Sequence, residues 1–433
     1  MKVRVEPGNI SGIIAAPPSK SMTQRAYAAA LLHRGKTIIH NAGRSDDENA
    51  ALQIIQQLGA NVILHTDVPH LQGVAHLTEI ESNGINPISG AINCGESGLA
   101  ARLFTPIAAL SAKEILIKGR GSLLQRPMGG FAEVLPALNI DLSGFNGFVP
   151  FSIKGPLQAR SVKVDGTGGS QFLSGLLFAL AYVATGPITI EVRGLKSIPY
   201  IDLTLEVLAH FGKPVTHDDH TMFYIDPAFF INKGTVEMKI EADWSSAAFL
   251  LVAGAIAGNI SVQNLQVNST QADRAILDIL KDIGAEISMD NDSISVKRSP
   301  LQAFEFDATH CPDLFPVLSV LAACCDGESY VKGVHRLFHK ESNRAESISE
   351  MLQDFDVPFS LEDDMLCITG VKKLQGTIIN SYNDHRIVMA AAVGALRANG
   401  PVDILQTDAV NKSYPGFFND LILCGGRCIL AIK

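Results

Sequence analysis

The sequence predicts an α/β chain of two domains, and three observations carry that expectation. A strand–helix–strand pattern recurs in six segments, with a period of roughly 70–75 residues. Further apolar helices alternate with those segments. The style of the segments changes near Glu241-Ala242-Asp243-Trp244-Ser245-Ser246 and again just before Lys20, which marks two crossovers and divides the six into three and three. The expected division is 1–18 with 241–433 as one discontinuous domain and 19–240 as the other.

Each segment reads as a strand, a short polar stretch, an amphipathic helix, a glycine-type stop and another strand. The first runs from Ile38 through Asn41-Ala42-Gly43-Arg44-Ser45-Asp46-Asp47 to Leu58-Gly59-Ala60-Asn61-Val62. The second runs from Ile117 through Gly121 to Pro127 and on to Leu138 and Ile140. The third joins Val192-Arg193-Gly194-Leu195, Ser197 and Tyr200 to Phe211-Gly212-Lys213-Pro214-Val215. The fourth joins Val262-Gln263-Asn264-Leu265 and Gln271-Ala272-Asp273 to Ile283-Gly284-Ala285-Glu286-Ile287, with Ile276, Leu277, Leu280 and Ile283 on one helical face. The fifth joins Val331-Lys332-Gly333-Val334 and Lys340-Glu341-Ser342-Asn343-Arg344 to Phe355-Asp356-Val357. The sixth joins Ile404-Leu405-Gln406 and Lys412-Ser413-Tyr414-Pro415 to Cys424-Gly425-Gly426-Arg427-Cys428. Apolar helices are expected at Phe172 to Val183, Ser246 to Ala257, Leu314 to Cys325 and Ile387 to Leu396.

Composition narrows the class. A chain of 433 residues with 47% hydrophobic and 18% charged residues is long enough for more than one sizeable core. A formal net charge of -9 disfavours a nucleic-acid surface. No apolar run is long enough to span a bilayer, and the start alternates at Val3 and Val5 without an export signal, so a cytoplasmic protein is expected. The cysteines (Cys94, Cys311, Cys324, Cys325, Cys367, Cys424 and Cys428) form no CxxC pair, which points to free thiols and against a zinc site.

The chemistry-bearing residues collect where helices start. Lys20, Ser21, Arg25, Arg126, Ser170, Gln171, Ser197, Lys340, Arg344, Arg386 and Lys412 are mostly cationic or hydroxylic. Helix starts carry free N–H groups and partial positive charge, so this pattern suits phosphate and carboxylate ligands. Two acids stand among them. Asp313 is either an N-cap or a site residue, and Glu341 is either a surface ion-pair partner or a site residue. Two carboxylates among cations can also divide general acid and base roles. Asn383-Asp384-His385-Arg386 opens another apolar helix. No glycine-rich dinucleotide turn, P-loop lysine or metal-ligand spacing supports a nucleotide or metal cofactor.

Taken in order, Pro18-Ser19-Lys20-Ser21 with Arg25, Ser170-Gln171-Phe172-Leu173, Pro199-Tyr200-Ile201-Asp202, Pro312-Asp313, Lys340-Glu341-Ser342 with Arg344, and Asn383-Asp384-His385-Arg386 resemble the EPSP synthase (3-phosphoshikimate 1-carboxyvinyltransferase) family over nearly the whole chain. The resemblance implies two domains, each of three βαβαββ units with helices packed inside sheets. It implies transfer of the carboxyvinyl group of phosphoenolpyruvate to the 5-hydroxyl of shikimate 3-phosphate, with no metal or organic cofactor. Carried onto this chain, Lys20, Ser21, Arg25, Ser170, Gln171, Ser197, Tyr200, Asp313 and Lys340 are the expected shikimate 3-phosphate contacts. Lys20, Gly98, Arg126, Gln171, Arg344, Arg386 and Lys412 are the expected phosphoenolpyruvate contacts. Asp313 is the expected base and Glu341 the expected acid, with Lys20 and His385 assisting charge balance. It further implies a monomer in the cytoplasm serving aromatic amino-acid synthesis, with no nucleic-acid or membrane partner.

The chain departs from the family pattern at Asn93-Cys94-Gly95-Glu96-Ser97-Gly98-Leu99-Ala100-Ala101-Arg102. Anchored on Gly98 and Arg102, Glu96 falls at a usual asparagine and Leu99 at a usual threonine; anchored on Asn93, the arginine is misplaced. The first alignment is preferred, and it sets a carboxylate toward anionic substrates unless Arg102 or a neighbour pairs with it. Gly169 replaces a serine, Phe338 an arginine and Asn343 an acid, which predicts altered affinity for phosphoenolpyruvate and for glyphosate, the family's inhibitor. Two rivals are set against this reading. The sister transferase acting on UDP-N-acetylglucosamine needs a reactive cysteine absent from 119–126, and a non-catalytic paralogue would explain Glu96 and Leu99.

Overall fold

Val3 and Val5 alternate with charged neighbours, and that period of two forms the opening strand β1 (Lys2–Glu6), with both valines buried. The computed structural model describes residues 1–70, 73–290 and 293–431. After β2 (Ile10–Ala15) the chain leaves its first compact unit, Met1–Pro17 with Ala242–Lys433, and builds the second, Pro18–Glu241. The Asp243 N–H donates to the Pro17 carbonyl at 2.7 Å where the two segments of the first unit meet. In the second unit the Ser19 N–H donates to the Glu241 carbonyl at 2.8 Å.

The second unit runs α1 (Lys20–Leu32), β3 (Gly35–His40), α2 (Asp46–Gln57), β4 (Asn61–His70) and β5 (Gly73–Ser82). It continues with β6 (Ala91–Asn93), α3 (Gly98–Ala108), β7 (Glu114–Lys118), α4 (Phe131–Ala137), β8 (Asp141–Ser143) and β9 (Phe151–Lys154). It ends with β10 (Val162–Asp165), α5 (Gln171–Val183), β11 (Ile188–Arg193), α6 (Pro199–His210), β12 (Thr216–Asp218), β13 (Met222–Ile225) and β14 (Val236–Lys239).

The first unit resumes with α7 (Trp244–Ala257), β15 (Gly258–Gln263), α8 (Ala275–Asp282), β16 (Glu286–Met289) and β17 (Ser293–Lys297). Next come β18 (Glu305–Asp307), α9 (Phe315–Ala323), β19 (Glu328–Lys332), α10 (Arg344–Asp354), β20 (Phe359–Glu362) and β21 (Met365–Thr369). The last stretch is β22 (Ile378–Asn380), α11 (His385–Ala395), β23 (Val402–Leu405), α12 (Phe417–Leu423) and β24 (Arg427–Ala431).

These elements make six βαβαββ modules, three in each unit. Every sheet has four strands in the order first, second, fourth, third, as in β6-β7-β9-β8 and β18-β19-β21-β20. The first two strands are parallel and the other neighbours antiparallel. Chain ends complete three modules: β14 is the first strand beside β3, β2 the first beside β15, and β1 the fourth beside β23 and β24. The six segments read from the sequence are the second halves of the modules, from β3–α2–β4 to β23–α12–β24.

The first helices of the modules are the apolar ones, and they form the interior. In the second unit α1, α3 and α5 pack on one another, as α7, α9 and α11 do in the first. Every residue of α9 and of α11 is buried, so these helices have no solvent face to be amphipathic about. Each Leu, Ile or Phe so buried contributes about 1.5–3 kcal/mol. Their expected boundaries move for a local reason. Asp243 and Asp384 accept from the N–H groups of Ser246 and Arg386, which caps α7 and α11 earlier than the apolar run suggests. At Leu314 the start becomes a single 3-10 turn, Pro312–Leu314, ahead of α9.

The approach of α3 to α5 depends on Gly175. A Cβ there would lie 2.6 Å from the Leu103 carbonyl oxygen and 2.7 Å from Pro106 Cγ. Gly175→Val should therefore cost about 1–3 kcal/mol and lower the thermal unfolding midpoint by several degrees in circular dichroism. An unchanged midpoint would show that the helices separate freely.

Candidate active site

Two parallel strands cannot be joined by a tight turn, so the chain must cross back as a helix. In the four modules whose first two strands are consecutive, both helices therefore start where those strands end, at one edge of the sheet. The polar residues singled out in the sequence lie at helix starts. Lys20 and Ser21 open α1, Gly98 opens α3, Ser170 and Gln171 open α5, and His385 and Arg386 open α11. Arg126, Ser197, Lys340, Arg344 and Lys412 precede or begin second helices.

In the second unit the central group is Arg25, almost wholly buried on α1. Its Nε donates to Thr204 Oγ1 at 2.8 Å, Nη1 to the Ser21 carbonyl at 2.9 Å, and Nη2 to the Tyr200 carbonyl at 3.1 Å and Ser174 Oγ at 3.4 Å. None of these acceptors is a carboxylate. Burial pulls the guanidinium down to about 10, against a small lift from Tyr200. A buried cation held by neutral oxygens attracts an anion. Lys20 Nζ lies 3.1 Å from Asp47 Oδ2, at the start of α2. Ser197 is buried with φ of 57°, in a left-handed turn before α6. Ser170 is buried without capping α5 through its side chain.

A second cationic group surrounds the start of α3. Arg102 Nη1 donates to Gln171 Oε1 at 2.9 Å and Nη2 to the Pro127 carbonyl at 2.7 Å. A Cβ on Gly98 would stand 2.6 Å from Arg126 Cζ and 2.8 Å from Arg102 Nη1. The two guanidiniums thus lie against bare backbone at a helix start, where anions bind. Glu96, two residues before Gly98, meets a neighbouring loop. Its Oε2 accepts from the Ser122 N–H at 3.4 Å and the Ser122 hydroxyl at 3.3 Å, in the 3-10 turn Gly121–Gln125. Gly169 has φ of 117°, which a serine rarely adopts, so this replacement follows the backbone. Leu99 is buried in the first turn of α3.

In the first unit Lys340 Nζ (3.3 Å), Arg344 Nη1 (2.7 Å) and Arg386 Nη2 (3.0 Å) converge on the Asp313 carboxylate. Asp313 sits inside the 3-10 turn and caps no helix, so its carboxylate belongs to this cluster. Arg344 is fully buried; its Nε meets Asp384 Oδ2 at 2.7 Å and its Nη2 meets Glu341 Oε2 at 2.6 Å. Burial disfavours its charge, but Asp384, Glu341 and Asp313 outweigh burial and hold it well above the ordinary arginine range. Lys340 goes the other way, to about 8, through burial first, with Arg344 adding and Asp313 opposing. Buried His385 has Nδ1 3.8 Å from Asp384 Oδ1. Lys412 Nζ donates to the Asn383 carbonyl at 2.7 Å, turned there by left-handed Tyr382 and Asn383.

Several members were not singled out from the sequence as parts of these clusters. Asp384 serves Arg344 as well as its helix, and Thr204 and Ser174 are ordinary helix residues until Arg25 reaches them. Arg336, two residues before Phe338, is a further member. Phe338 is half exposed, whereas Arg336 is lowered by burial and acts electrostatically on Asp313 and Lys340. Asn343 Oδ1, in place of an acid, is buried without a hydrogen-bond partner among the described residues. Among the described residues one trio, Asp202, His217 and His220, brings metal-type donors together. The two rings are tilted by 33° with centroids 3.9 Å apart, and His220 Nε2 is 2.6 Å from Asp202 Oδ1.

Six sheets around apolar helices, with buried cations at one edge of the modules, define a protein built to handle small anions. The EPSP synthase (3-phosphoshikimate 1-carboxyvinyltransferase) family model matches residues 5–421, and the chain belongs to this family. A relative from Thermococcus kodakarensis named 3-phosphoshikimate 1-carboxyvinyltransferase is 37% identical over 412 residues, covering 95% of this chain and 97% of its own length. One from Clostridium novyi with the same name is 33% identical over 427 residues, covering 98% and 97%. The solved EPSP synthase from Acinetobacter baumannii superposes with a TM-score of 0.80 at 26% identity, over 99% of this chain and 100% of that one. The enolpyruvyl transferase NikO from Streptomyces tendae, at 15% identity and a TM-score of 0.75, shares the fold. No helix among the described residues is long and apolar enough to cross a membrane.

Gly98→Ala should push Arg126 and Arg102 off the start of α3. The expected result is a KM for phosphoenolpyruvate raised about tenfold or more, with a smaller change for shikimate 3-phosphate. Equal changes for both substrates would sink this assignment.

Proposed function

We propose that this chain transfers the carboxyvinyl group of phosphoenolpyruvate to the 5-hydroxyl of shikimate 3-phosphate by addition and elimination, releasing phosphate. The observation that supports the residue roles is the convergence of Lys340, Arg344 and Arg386 on Asp313, with Glu341 on another edge of Arg344. Asp313 takes the 5-hydroxyl proton as that oxygen bonds to C2 of phosphoenolpyruvate. Glu341 donates a proton to the C3 methylene, which becomes a methyl group. The tetrahedral adduct then returns a proton from that methyl group to the Glu341 carboxylate and expels phosphate from C2, restoring the double bond, while the proton held by Asp313 leaves with the phosphate. Lys20 and His385 offset the charge that develops on the leaving phosphate.

Ser21, Arg25, Ser170, Gln171, Ser197 and Tyr200, with Lys20, Asp313 and Lys340, hold shikimate 3-phosphate. Lys20, Gly98, Arg126, Gln171, Arg344, Arg386 and Lys412 hold phosphoenolpyruvate. Arg344 and Arg386 grip Asp313 while no substrate competes. A substrate carboxylate that takes over these guanidiniums leaves Asp313 free to accept a proton, so binding prepares the base. Glu96 gives the non-catalytic paralogue its best support, and its hydrogen bonds from Ser122 favour the catalytic reading by engaging part of that carboxylate. The same reading makes the chain a monomeric cytoplasmic enzyme of the shikimate pathway and a glyphosate target.

Phosphate release should require both substrates together and fall by roughly 10²–10⁴ in Asp313→Asn and in Glu341→Gln. Release from phosphoenolpyruvate alone would point to a phosphatase. Glyphosate inhibition should respond to the apolar residue at the start of α3. Leu99→Thr should change the inhibition constant against phosphoenolpyruvate by about threefold or more, and an unchanged constant would clear Leu99 of any part in it.

A further inference from the structure

Each module has a second helix start, and those of five modules carry groups that the proposed reaction uses or that hold such groups. They are Asp47 beside Lys20, Arg126, Ser197, the Lys340 to Arg344 run, and Lys412. The sixth is the 3-10 turn Ala272–Arg274 ahead of α8, and its buried polar residue is Asp273. The Ser245 hydroxyl at the start of α7 donates to Asp273 Oδ2. That oxygen is 4.0 Å from Arg386 Nη1, while Arg386 Nη2 holds Asp313 at 3.0 Å. Asp273 Oδ1 is buried with no hydrogen-bond partner among the described residues. A fold gains nothing from a carboxyl oxygen taken out of water without a donor. Its use must lie in its field.

We infer that Asp273 is a positioning residue for Arg386, standing beside the guanidinium and setting, by its charge state, how much of the Arg386 charge is left for the carboxylate of phosphoenolpyruvate. This deepens the proposed transfer reaction and rests on it. The groups that face Asp273 are Arg386 on α11, Asp313 in the turn before α9, Asp243 and Ser245 at the start of α7, and the Cys311 thiol. Burial pushes the Asp273 carboxyl up to about 7; Arg386 draws it down, Asp313 and Asp243 push it further up, and the Ser245 hydrogen bond draws it down. Cys311 is itself raised well above its ordinary range, by burial first, and stays an uncharged thiol at neutrality.

The sign follows from the charge. At low pH Asp273 is neutral and Arg386 presents its full charge to the substrate. As pH rises through about 7 the carboxylate forms, shares Arg386, and the KM for phosphoenolpyruvate climbs. Asp273→Asn fixes the neutral form and removes that climb. Ser245→Ala deletes a bond that favours the carboxylate and moves the climb to higher pH. The substrate's own titration is common to all variants and cancels in the comparison.

The test is KM for phosphoenolpyruvate and kcat between about pH 6 and pH 8.5 in the unaltered chain, Asp273→Asn and Ser245→Ala. At the alkaline end KM in Asp273→Asn should be lower by about threefold or more, with kcat changed less. In Ser245→Ala the midpoint should rise by about half a unit. Profiles that run parallel in all three proteins overturn the inference. If Asp273→Asn does not fold, the Ser245→Ala midpoint decides alone, and an unmoved midpoint is the overturning result. Absence of turnover in the unaltered chain would instead defeat the proposed reaction. Calorimetric binding of phosphoenolpyruvate at the two pH extremes then decides on Asp273, and an affinity difference between pH extremes that is identical in all three proteins overturns its role.

Discussion

Parallel pairing of the first two strands in each module is the constraint on which the rest of this molecule depends. It forbids a hairpin. In four modules the chain crosses between the paired strands as a helix that starts where the first strand ends. In the other two, β14 with β3 and β2 with β15, the paired strands are distant in the chain. Repeated through six sheets, it gathers backbone N–H groups and the residues beside them at one edge of every module. On β10 and β11, by contrast, Lys163, Glu191 and Arg193 pair in the exposed manner of an ordinary surface. Strand direction thus decides where chemistry is affordable in this fold.

The buried arginines show two different uses of a cation in an apolar interior. Arg344 is surrounded by the carboxylates of Asp313, Glu341 and Asp384, which answer its charge from within the protein. Arg25 is surrounded by hydroxyls and carbonyls, which satisfy its hydrogen bonds and leave its charge unanswered. An anionic ligand would complete the second arrangement. On the proposed reaction that ligand is shikimate 3-phosphate.

Much of this was legible in the sequence. The six segments appear as the second half of each module because an amphipathic helix between two strands leaves a periodic mark and a glycine stop. The wholly buried helices α7 and α9 were visible as apolar runs, but their starts were displaced because a cap or a 3-10 turn is decided by one residue, not by periodicity. Lys20, Arg344, Arg386 and Lys412 were legible because cations recur at comparable helix starts. Arg336, Asp273 and the contact of Glu96 with Ser122 were not legible, since each depends on how separate loops meet in space. Asp313 could be read as a cap or as a site residue, and only the convergence of three cations on its carboxylate separates the two.

The module closed by β1 also bears on the order in which the chain becomes a protein. Arg4 on β1 bonds Asp403 on β23, 399 positions away, and β1 itself lies between β23 and β24. The second unit, Pro18–Glu241, is continuous in sequence and has all its strands as soon as it has been synthesised. The first unit must wait for the last stretch of the chain before Val3 and Val5 find their neighbours. During synthesis the opening strands are therefore unpaired edges tethered to an already folded body, which is the interval in which chains of this design are most exposed to mispairing and to chaperones.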